Sequence, residues 1–151
     1  MKKFLTYTIF GSLLVAGLIE VYAITSEKSL LRSSKTNIDL EQICQLALNM
    51  PELDPYFQKD PFLKTSSLSV LKNQDISESM PLTKFGKKVK FVSNPNKTKQ
   101  EIPYIEFFNV SIEGQKASMM FIYPNKRIDG AVNFTKNNKE WKVSKLEFTE
   151  F

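Results

Sequence analysis

Three carboxylates lie close together in the segment 52–60, where paired acidic side chains could share acid and base work. They are Glu52, Asp54 and Asp60, and prolines at positions 51, 55 and 61 accompany them. Two neighbouring carboxylates form the reactive pair of many hydrolases. Acidic residues among prolines are also typical of solvent-facing turns. We therefore predict an irregular loop or broken helical turns here, and we assign no catalytic residue.

Histidine is absent from the 151 residues, and Cys44 is the single cysteine. The lack of histidine excludes Ser-His-Asp, Cys-His and histidine–metal sites. A single cysteine excludes an intramolecular disulfide. Cys44 falls on the apolar face of a predicted helix, which is typical of a small buried side chain. The sequence therefore predicts no metal site, no cofactor and no enzymatic activity.

A run of alternating basic and apolar residues follows Pro81. The basic members are Lys84, Lys88 and Lys90, and the apolar members are Phe85, Val89 and Phe91. A period of two predicts a strand with ammonium groups along one face, where an anionic partner could dock by charge. Lysines on an edge strand also prevent association between sheets, so that interpretation stays open. The rings would face away from the lysines, which argues against nucleic-acid binding by base stacking.

The composition indicates one folded domain. Apolar residues make up 42% of the chain, and 12 Phe, 5 Tyr and 1 Trp can fill a core. The net charge of +5 favours anionic neighbours, but it is too small for a nucleic-acid interface.

The N-terminus has the organisation of a membrane-targeting segment. Lys2 and Lys3 precede an apolar run over 4–19, and Ala23 ends a small-residue cleavage pattern. Residues 1–23 are thus predicted to be a signal peptide cleaved after Ala23, or an uncleaved anchor that crosses the membrane through 4–24. Both readings predict an extracytoplasmic domain, because positive charge stays in the cytoplasm. The protein is expected to be periplasmic or secreted, or to remain anchored in the inner membrane.

A polar, serine-rich tether is predicted over 24–37, followed by one α+β domain over 38–151. The domain begins with an amphipathic helix whose apolar residues recur at helical spacing: Leu40, Ile43, Cys44, Ala47 and Leu48. Asp39 and Gln42 have the spacing of a capping box, and Pro51 is expected to end the helix.

Four further strands are predicted after the lysine run, over 104–112, 116–123, 130–135 and 140–149. Short turns at Glu113-Gly114 and Asn137-Asn138 predict an antiparallel meander, so we expect a bent sheet of about five strands. In the first of the four, apolar residues change sides between Phe107 and Phe108, which predicts either a β-bulge or a strand that is apolar on both faces.

Two further patterns concern the faces of this sheet. The last strand also switches sides, between Val143 and Leu146, which predicts a second bend. Strand 116–123 is apolar on both faces, so both faces of the sheet should be covered: the helix is expected on one side, and a partner is the candidate for the other.

The hairpin sequence V-N-F-T-K-N-N-K-E-W-K-V, together with the helix before the sheet, resembles the nuclear-transport-factor-2-like group of cone-shaped α+β domains. The resemblance covers roughly residues 39–151 and depends on the strands 131–135 and 141–143. It implies an apolar pocket between helix and sheet, which members of that group use for ligands, dimerisation or catalysis. The chain has one clear N-terminal helix where the group commonly has about three.

Two functions are compatible with these patterns. The first is a non-enzymatic binding or accessory protein of the cell envelope, which recognises an envelope or secreted protein through the sheet face or through Lys84, Lys88 and Lys90. The second is a small-molecule pocket protein or a cryptic hydrolase. Its cavity would be lined by Tyr104, Tyr123 and Trp141, with the acids of 52–60 at the rim.

Overall fold

The first helix, α1, covers residues 37–48 and supplies one wall of the core. Its buried stripe consists of the five side chains predicted for it: Leu40, Ile43, Cys44, Ala47 and Leu48. The computed structural model describes residues 37–93 and 102–150. The predicted targeting segment 1–23, and the predicted tether except for Asn37, lie outside the described residues. Within the described ranges, no helix combines the length and hydropathy needed to cross a bilayer.

The predicted cap of α1 is wrong. Asp39 lies inside the helix, because residues 37 and 38 are helical as well. Its carboxylate instead accepts hydrogen bonds from the side chains of Lys136 and Trp141, more than ninety positions away in sequence. The other end agrees with the prediction, since α1 ends at residue 48, ahead of Pro51.

The acidic segment forms two short helices, in agreement with the predicted broken helical turns. They are α2 (Asp54–Gln58) and α3 (Pro61–Thr65). Proline in the first turn of each helix has no N–H to leave unpaired. Asp60 caps α3 by accepting a hydrogen bond from the backbone N–H of Phe62 at 3.0 Å. Phe57 of α2 is buried and joins these turns to the core.

Eight strands follow within the described residues. In chain order they are β1 (Ser69–Leu71), β2 (Thr83–Lys84), β3 (Lys87–Lys88), β4 (Lys90–Val92), β5 (Tyr104–Glu113), β6 (Lys116–Tyr123), β7 (Ile128–Asn137) and β8 (Glu140–Glu150). Six of them form one sheet in the order β4-β1-β5-β6-β7-β8, and β2 pairs with β3 in a separate hairpin. The domain is therefore α+β, and the predicted antiparallel meander is confirmed for β5 to β8.

The predicted strand through the lysine run is wrong. Residues 83–92 form three short strands, two in the hairpin and one, β4, at the edge of the main sheet. β4 does not continue the meander, because it pairs in parallel with β1, and β1 pairs in parallel with β5. No strand was predicted at β1, because its three residues are too few to show a periodicity.

Both predicted changes of side occur at β-bulges. In β5 the register shifts between Phe108 and Ser111, where Asn109 has a φ of +50°. The shift returns Val110 and Ile112 to the face that packs against the core. In β8 the register shifts opposite Asn133 and Phe134 of β7, so Leu146 and Phe148 also pack against the core. Bulges increase the local twist and bend of the strands that carry them.

The core lies between α1 and one face of the sheet, which we call the inner face. The buried side chains of the meander on this face are Ile105, Phe107, Ala117, Met119, Phe121, Tyr123, Ile128, Val132, Phe134 and Trp141. Gly130 has no space for a side chain, because a Cβ there would lie 2.5 Å from the carbonyl oxygen of Glu147. The opposite, outer face of the meander carries the alternate residues.

Candidate functional site

The β2–β3 hairpin brings a buried lysine and an exposed aromatic ring together. Lys84 is only 6% exposed, so the predicted row of three surface lysines is wrong at this position. Its ammonium group donates to the carbonyl oxygen of Leu48 at 2.7 Å and forms an ion pair with Asp54. The carbonyl belongs to the last turn of α1, where the helix dipole attracts a cation. Lys84 therefore fastens the hairpin to the end of α1.

Two aromatic rings cover the Lys84 ammonium group. Its Nζ lies 5.1 Å from the centroid of Phe57 and 4.6 Å from that of Phe85. The two rings are 6.5 Å apart in an edge-to-face arrangement. Cation–π contacts of this kind are stronger where the cation is desolvated, as it is here. Phe57 is buried, whereas Phe85 is 50% exposed.

Phe85 occupies an unfavourable backbone conformation. It forms a two-residue turn with Gly86, and the φ angles of the two residues are +51° and +72°. Turns of this type usually carry Asn, Asp or Gly at the first position, because a bulky residue is strained there. Strain at a half-exposed aromatic residue is a feature found at binding sites. The alternating pattern predicts Phe85 on the apolar face of a strand, and this prediction is wrong because Phe85 and Gly86 form a turn.

Phe85 lines two neighbouring grooves. The larger has a volume of about 270 Å³ and is lined by Phe57, Gln58, Leu63, Lys64 and Phe85. The smaller, of about 20 Å³, lies towards Lys87 and the serines at 66 and 67. The larger groove thus combines an apolar floor with an ammonium group at its edge, and it has room for one apolar side chain.

The exposed lysines around Phe85 are not neutralised. Lys64, Lys87 and Lys88 are exposed, and no ion pair among the described residues involves any of them. Lys87 lies directly opposite Lys84 across the hairpin, so both project from the same face. Lys90 is also exposed, but it belongs to β4 of the main sheet. Lys88, the next residue of β3, projects from the opposite face of the hairpin. We call Phe85, Lys64, Lys87 and the larger groove the hairpin site.

The three aromatic residues predicted to line one cavity are not brought together. Tyr123 and Trp141 are buried, and they pair with opposite ends of β7, at Ile128 and Lys136. Eight residues of strand separate those ends by about 26 Å. Tyr104 lies on the outer face of β5, and its backbone N–H donates to the side chain of Asn125.

Each buried polar group of this set already has a partner. Tyr123 Oη donates to Asp60 Oδ2 at 2.9 Å, and burial followed by this hydrogen bond raises the pKa of the tyrosine. Lys126 lies 4.0 Å from the same oxygen. Asp54 pairs with Lys84, while Glu52 is exposed. The three acids of 52–60 therefore do not converge on one reacting atom.

A second lysine, whose side chain is 16% exposed, lies at the other end of α1. Lys136 forms an ion pair with Asp39, and its Nζ lies 5.2 Å from the centroid of Trp141. The indole Nε1 donates to the same carboxylate at 3.0 Å. We call Asp39, Lys136 and Trp141 the indole cluster. Local sequence spacing could not predict the indole cluster, because it depends on contacts between α1 and the last hairpin, about 100 positions later in the chain.

A separate groove of about 440 Å³ runs beside the indole cluster. It is lined by Glu41, Gln42, Gln45, Leu46, Pro81, Lys139, Glu140 and Trp141. The Gln45 amide is already occupied, since it donates to the carbonyl of Thr83 and accepts from its N–H, both at 2.9 Å. Trp141 is only 5% exposed, so little of its ring faces the groove.

Cys44 has the properties of a core residue. It is fully buried, and burial, followed by the charges of Asp75 and Glu41, raises the pKa of its thiol to about 12. A thiol with so high a pKa is protonated at neutral pH and is a poor nucleophile. Among the described residues, no three Cys, Asp or Glu side chains are grouped so that they could hold a metal ion.

Comparison with known proteins finds no relative. No protein-family model matches the chain, and neither a curated protein nor a solved structure is significantly similar to it.

Proposed function

We propose that the domain is a non-enzymatic binding module and that its hairpin site recognises an acidic segment of a partner protein. One observation carries this proposal: a strained, 50% exposed Phe85 projects beside an apolar groove and among lysines that lack ion partners in the described part of the chain. A ring that contributes to stability alone would be expected to lie in the core in a relaxed conformation.

The chemistry of the groove defines the partner. Its apolar floor would receive one apolar side chain, and the ammonium groups of Lys64 and Lys87 would pair with carboxylates that flank this side chain. Aromatic anchors in such pockets supply much of the affinity of protein interfaces, whereas charges at the rim increase the association rate. The partner element is therefore a short acidic segment with an apolar residue at its centre.

The proposal also includes a location outside the cytoplasm for this domain. The targeting pattern of residues 1–23 supports export or membrane tethering, so the partner would be an envelope or secreted protein. The resemblance to nuclear-transport-factor-2-like domains also remains a proposal. It would fit a domain whose helix packs into a bent sheet and whose function depends on added surface features.

Binding of defined peptide probes tests the proposal. Fluorescence anisotropy would compare the full chain with the labelled peptide Glu-Glu-Glu-Leu-Glu-Glu, a version with Ala for Leu, and a version with Lys for every Glu. We expect the first to bind most tightly, the second several-fold more weakly and the third not at all. The variant Lys64→Glu/Lys87→Glu should lose binding, whereas the control Lys116→Glu/Lys142→Glu should retain it. Equal binding of the acidic peptide to both variants, or no binding to the wild type, contradicts the proposal.

The groove beside the indole cluster favours a second function, that of a small-molecule pocket protein. Its volume of about 440 Å³ is within the range of ligand pockets. A Leu46→Trp substitution would fill the groove from the half-buried side of α1. A small-molecule screen by thermal shift should then give ligands that stabilise the wild type but not this variant. Ligands that stabilise both proteins equally would exclude this groove.

A further inference from the structure

The smaller of the two grooves that Phe85 lines has a polar wall. Its volume of about 20 Å³ is enough for one oxygen atom or one water molecule. Four of its lining residues are polar, whereas the larger groove beside it has an apolar floor. The lining residues of the smaller groove are Leu63, Ser66, Ser67, Leu68, Lys84, Phe85 and Lys87.

Two side chains of this groove keep hydrogen-bond donors without an oxygen acceptor. The Lys84 ammonium group has three N–H groups, and two of them donate to the carbonyl oxygen of Leu48 and to Asp54. The third has no oxygen acceptor among the described residues, although the side chain is only 4% exposed. The Ser67 hydroxyl makes no hydrogen bond in this part of the chain either, whereas the Ser66 hydroxyl donates to a backbone carbonyl. Because a buried donor is costly to leave unpaired, the groove favours an oxygen acceptor.

Lys87 gives this groove a positive charge that the fold does not neutralise. It is exposed and forms no ion pair with any described residue, whereas Asp54 balances the charge of Lys84. A water molecule in the groove could satisfy the donors, but it would leave this charge unpaired. A carboxylate oxygen satisfies both, and hydrogen bonds to an ionised group are about twice as strong as neutral ones. The chemistry of the groove therefore favours an anionic oxygen.

Given the proposed function of the hairpin site, on which this inference rests, we propose that the smaller groove binds one carboxylate oxygen of the partner's acidic segment. The two grooves share Leu63 and Phe85 as lining residues, so their occupants lie side by side. In an extended peptide, adjacent side chains point to opposite faces, whereas residues two positions apart lie on one face about 6.6 Å from each other. The carboxylate thus belongs to a residue two positions from the apolar residue that enters the larger groove. Other acids of the segment contribute only through long-range charge.

Peptides with single substitutions test this spacing. In the peptide Glu-Glu-Glu-Leu-Glu-Glu, with its C-terminus amidated, the glutamates two positions from Leu are the second and the sixth residues. Fluorescence anisotropy would measure binding of the full chain to five variants, each with Gln for one Glu. We expect Gln at one of these two positions to weaken binding about tenfold, because a hydrogen bond to a charged group is lost. Gln at the first, third or fifth position should weaken it by less than about threefold.

The variant Ser67→Ala tests the groove itself, because it removes a hydroxyl without changing the charge. It should weaken binding of the original peptide about fivefold and leave binding of the most weakened Gln peptide unchanged, since both substitutions remove one contact. Ser144→Ala, at an exposed serine of β8, is the control and should bind like the wild type. Circular dichroism verifies that both variants are folded.

The outcomes separate this subsite from the hairpin site as a whole. Equal losses at all five peptide positions, or full affinity of Ser67→Ala for the original peptide, would overturn the carboxylate subsite and leave the proposed function intact. Failure of the wild type to bind any of the acidic peptides would contradict the proposed function, and the subsite with it.

Discussion

Lys84 and Lys136 hold the two ends of α1 by the same chemistry, but their surroundings differ in exposure. Each projects from a hairpin, pairs with one carboxylate and lies within about 5 Å of an aromatic ring. In the indole cluster the ring, Trp141, is 5% exposed and donates a hydrogen bond to the carboxylate. At the hairpin site the ring, Phe85, is 50% exposed and lies on a strained turn.

The same motif, a lysine paired with a carboxylate beside an aromatic ring, is thus expected to stabilise the fold at one end of α1 and to bind a partner at the other. The indole cluster satisfies its charges internally, so it is expected to contribute mainly to stability. The hairpin site leaves a ring half exposed and two nearby lysines, Lys64 and Lys87, without ion partners among the described residues. The exposed Phe85 ring and these ammonium groups can therefore contact a partner. Four predictions test how far the two ends differ.

The largest effect is expected for Lys136→Met, which should lower the free energy of unfolding by about 3 kcal/mol. The substitution leaves Asp39 buried without its ammonium partner, and a buried charge is costly. Denaturant titration measures the loss. The control Lys142→Met, at an exposed lysine on β8, should change stability by less than about 0.5 kcal/mol. A loss as small as that of the control would mean that the indole cluster does not stabilise the fold.

Lys84→Met should cost less, about 1–2 kcal/mol. Its partner Asp54 has a side chain that is 33% exposed, so water can solvate the carboxylate once the lysine is gone. Lys88→Met is the neighbouring control. A larger loss in the free energy of unfolding for Lys84→Met than for Lys136→Met would contradict the claim that the indole cluster stabilises the fold more than the hairpin site does.

A pH dependence should come from Cys44, which lies on α1 between the two lysines. Burial raises its pKa from 9.0 to about 12 in the folded state, so the unfolded chain loses the thiol proton first. Its contribution to stability is therefore complete below pH 9 and is lost as the pH rises towards 12. The slope is at most about 1.4 kcal/mol per pH unit. Unfolding of the wild type and Cys44→Ala at a series of alkaline pH values should show a steeper decline for the wild type, and parallel curves would contradict this.

Phe85→Asn should have the smallest effect on stability, a change within about 1 kcal/mol. Asparagine tolerates the positive φ, and this gain offsets the lost contacts with Phe57 and Lys84. Binding of the acidic leucine peptide should nevertheless fall at least about tenfold, because the anchor ring is gone. A variant that unfolds readily, or one that binds as tightly as the wild type, would show that Phe85 is a structural residue.

The elements that the sequence predicted have strong local patterns. The buried stripe of α1 and the meander β5 to β8 follow from periodicity and short turns. Both bulges follow from apolar residues that change sides. Each of these signals lies within about ten residues of chain, which is the range over which periodicity is informative.

The candidate site could be predicted only in part, because its contacts are long-range. Lys84 was singled out from the sequence, but its burial depends on Asp54, 30 positions earlier. The Asp39–Lys136 and Asp39–Trp141 bonds join residues 97 and 102 positions apart. The lysine run alternated well enough to predict one strand, yet the Phe85-Gly86 turn divided it. A two-residue turn signal thus outweighed a period-two pattern.

Photo-crosslinking in cells tests the central claim, that Phe85 contacts a partner protein. A photoreactive phenylalanine analogue would replace Phe85 in one version of the full chain and Val143 in another. Val143 is the matched control, since it is an exposed apolar residue, 39% accessible, close to the indole cluster. Position 85 should crosslink to one discrete protein through an acidic segment, and position 143 should not. Equal crosslinking from both positions, or none from position 85, would contradict the account.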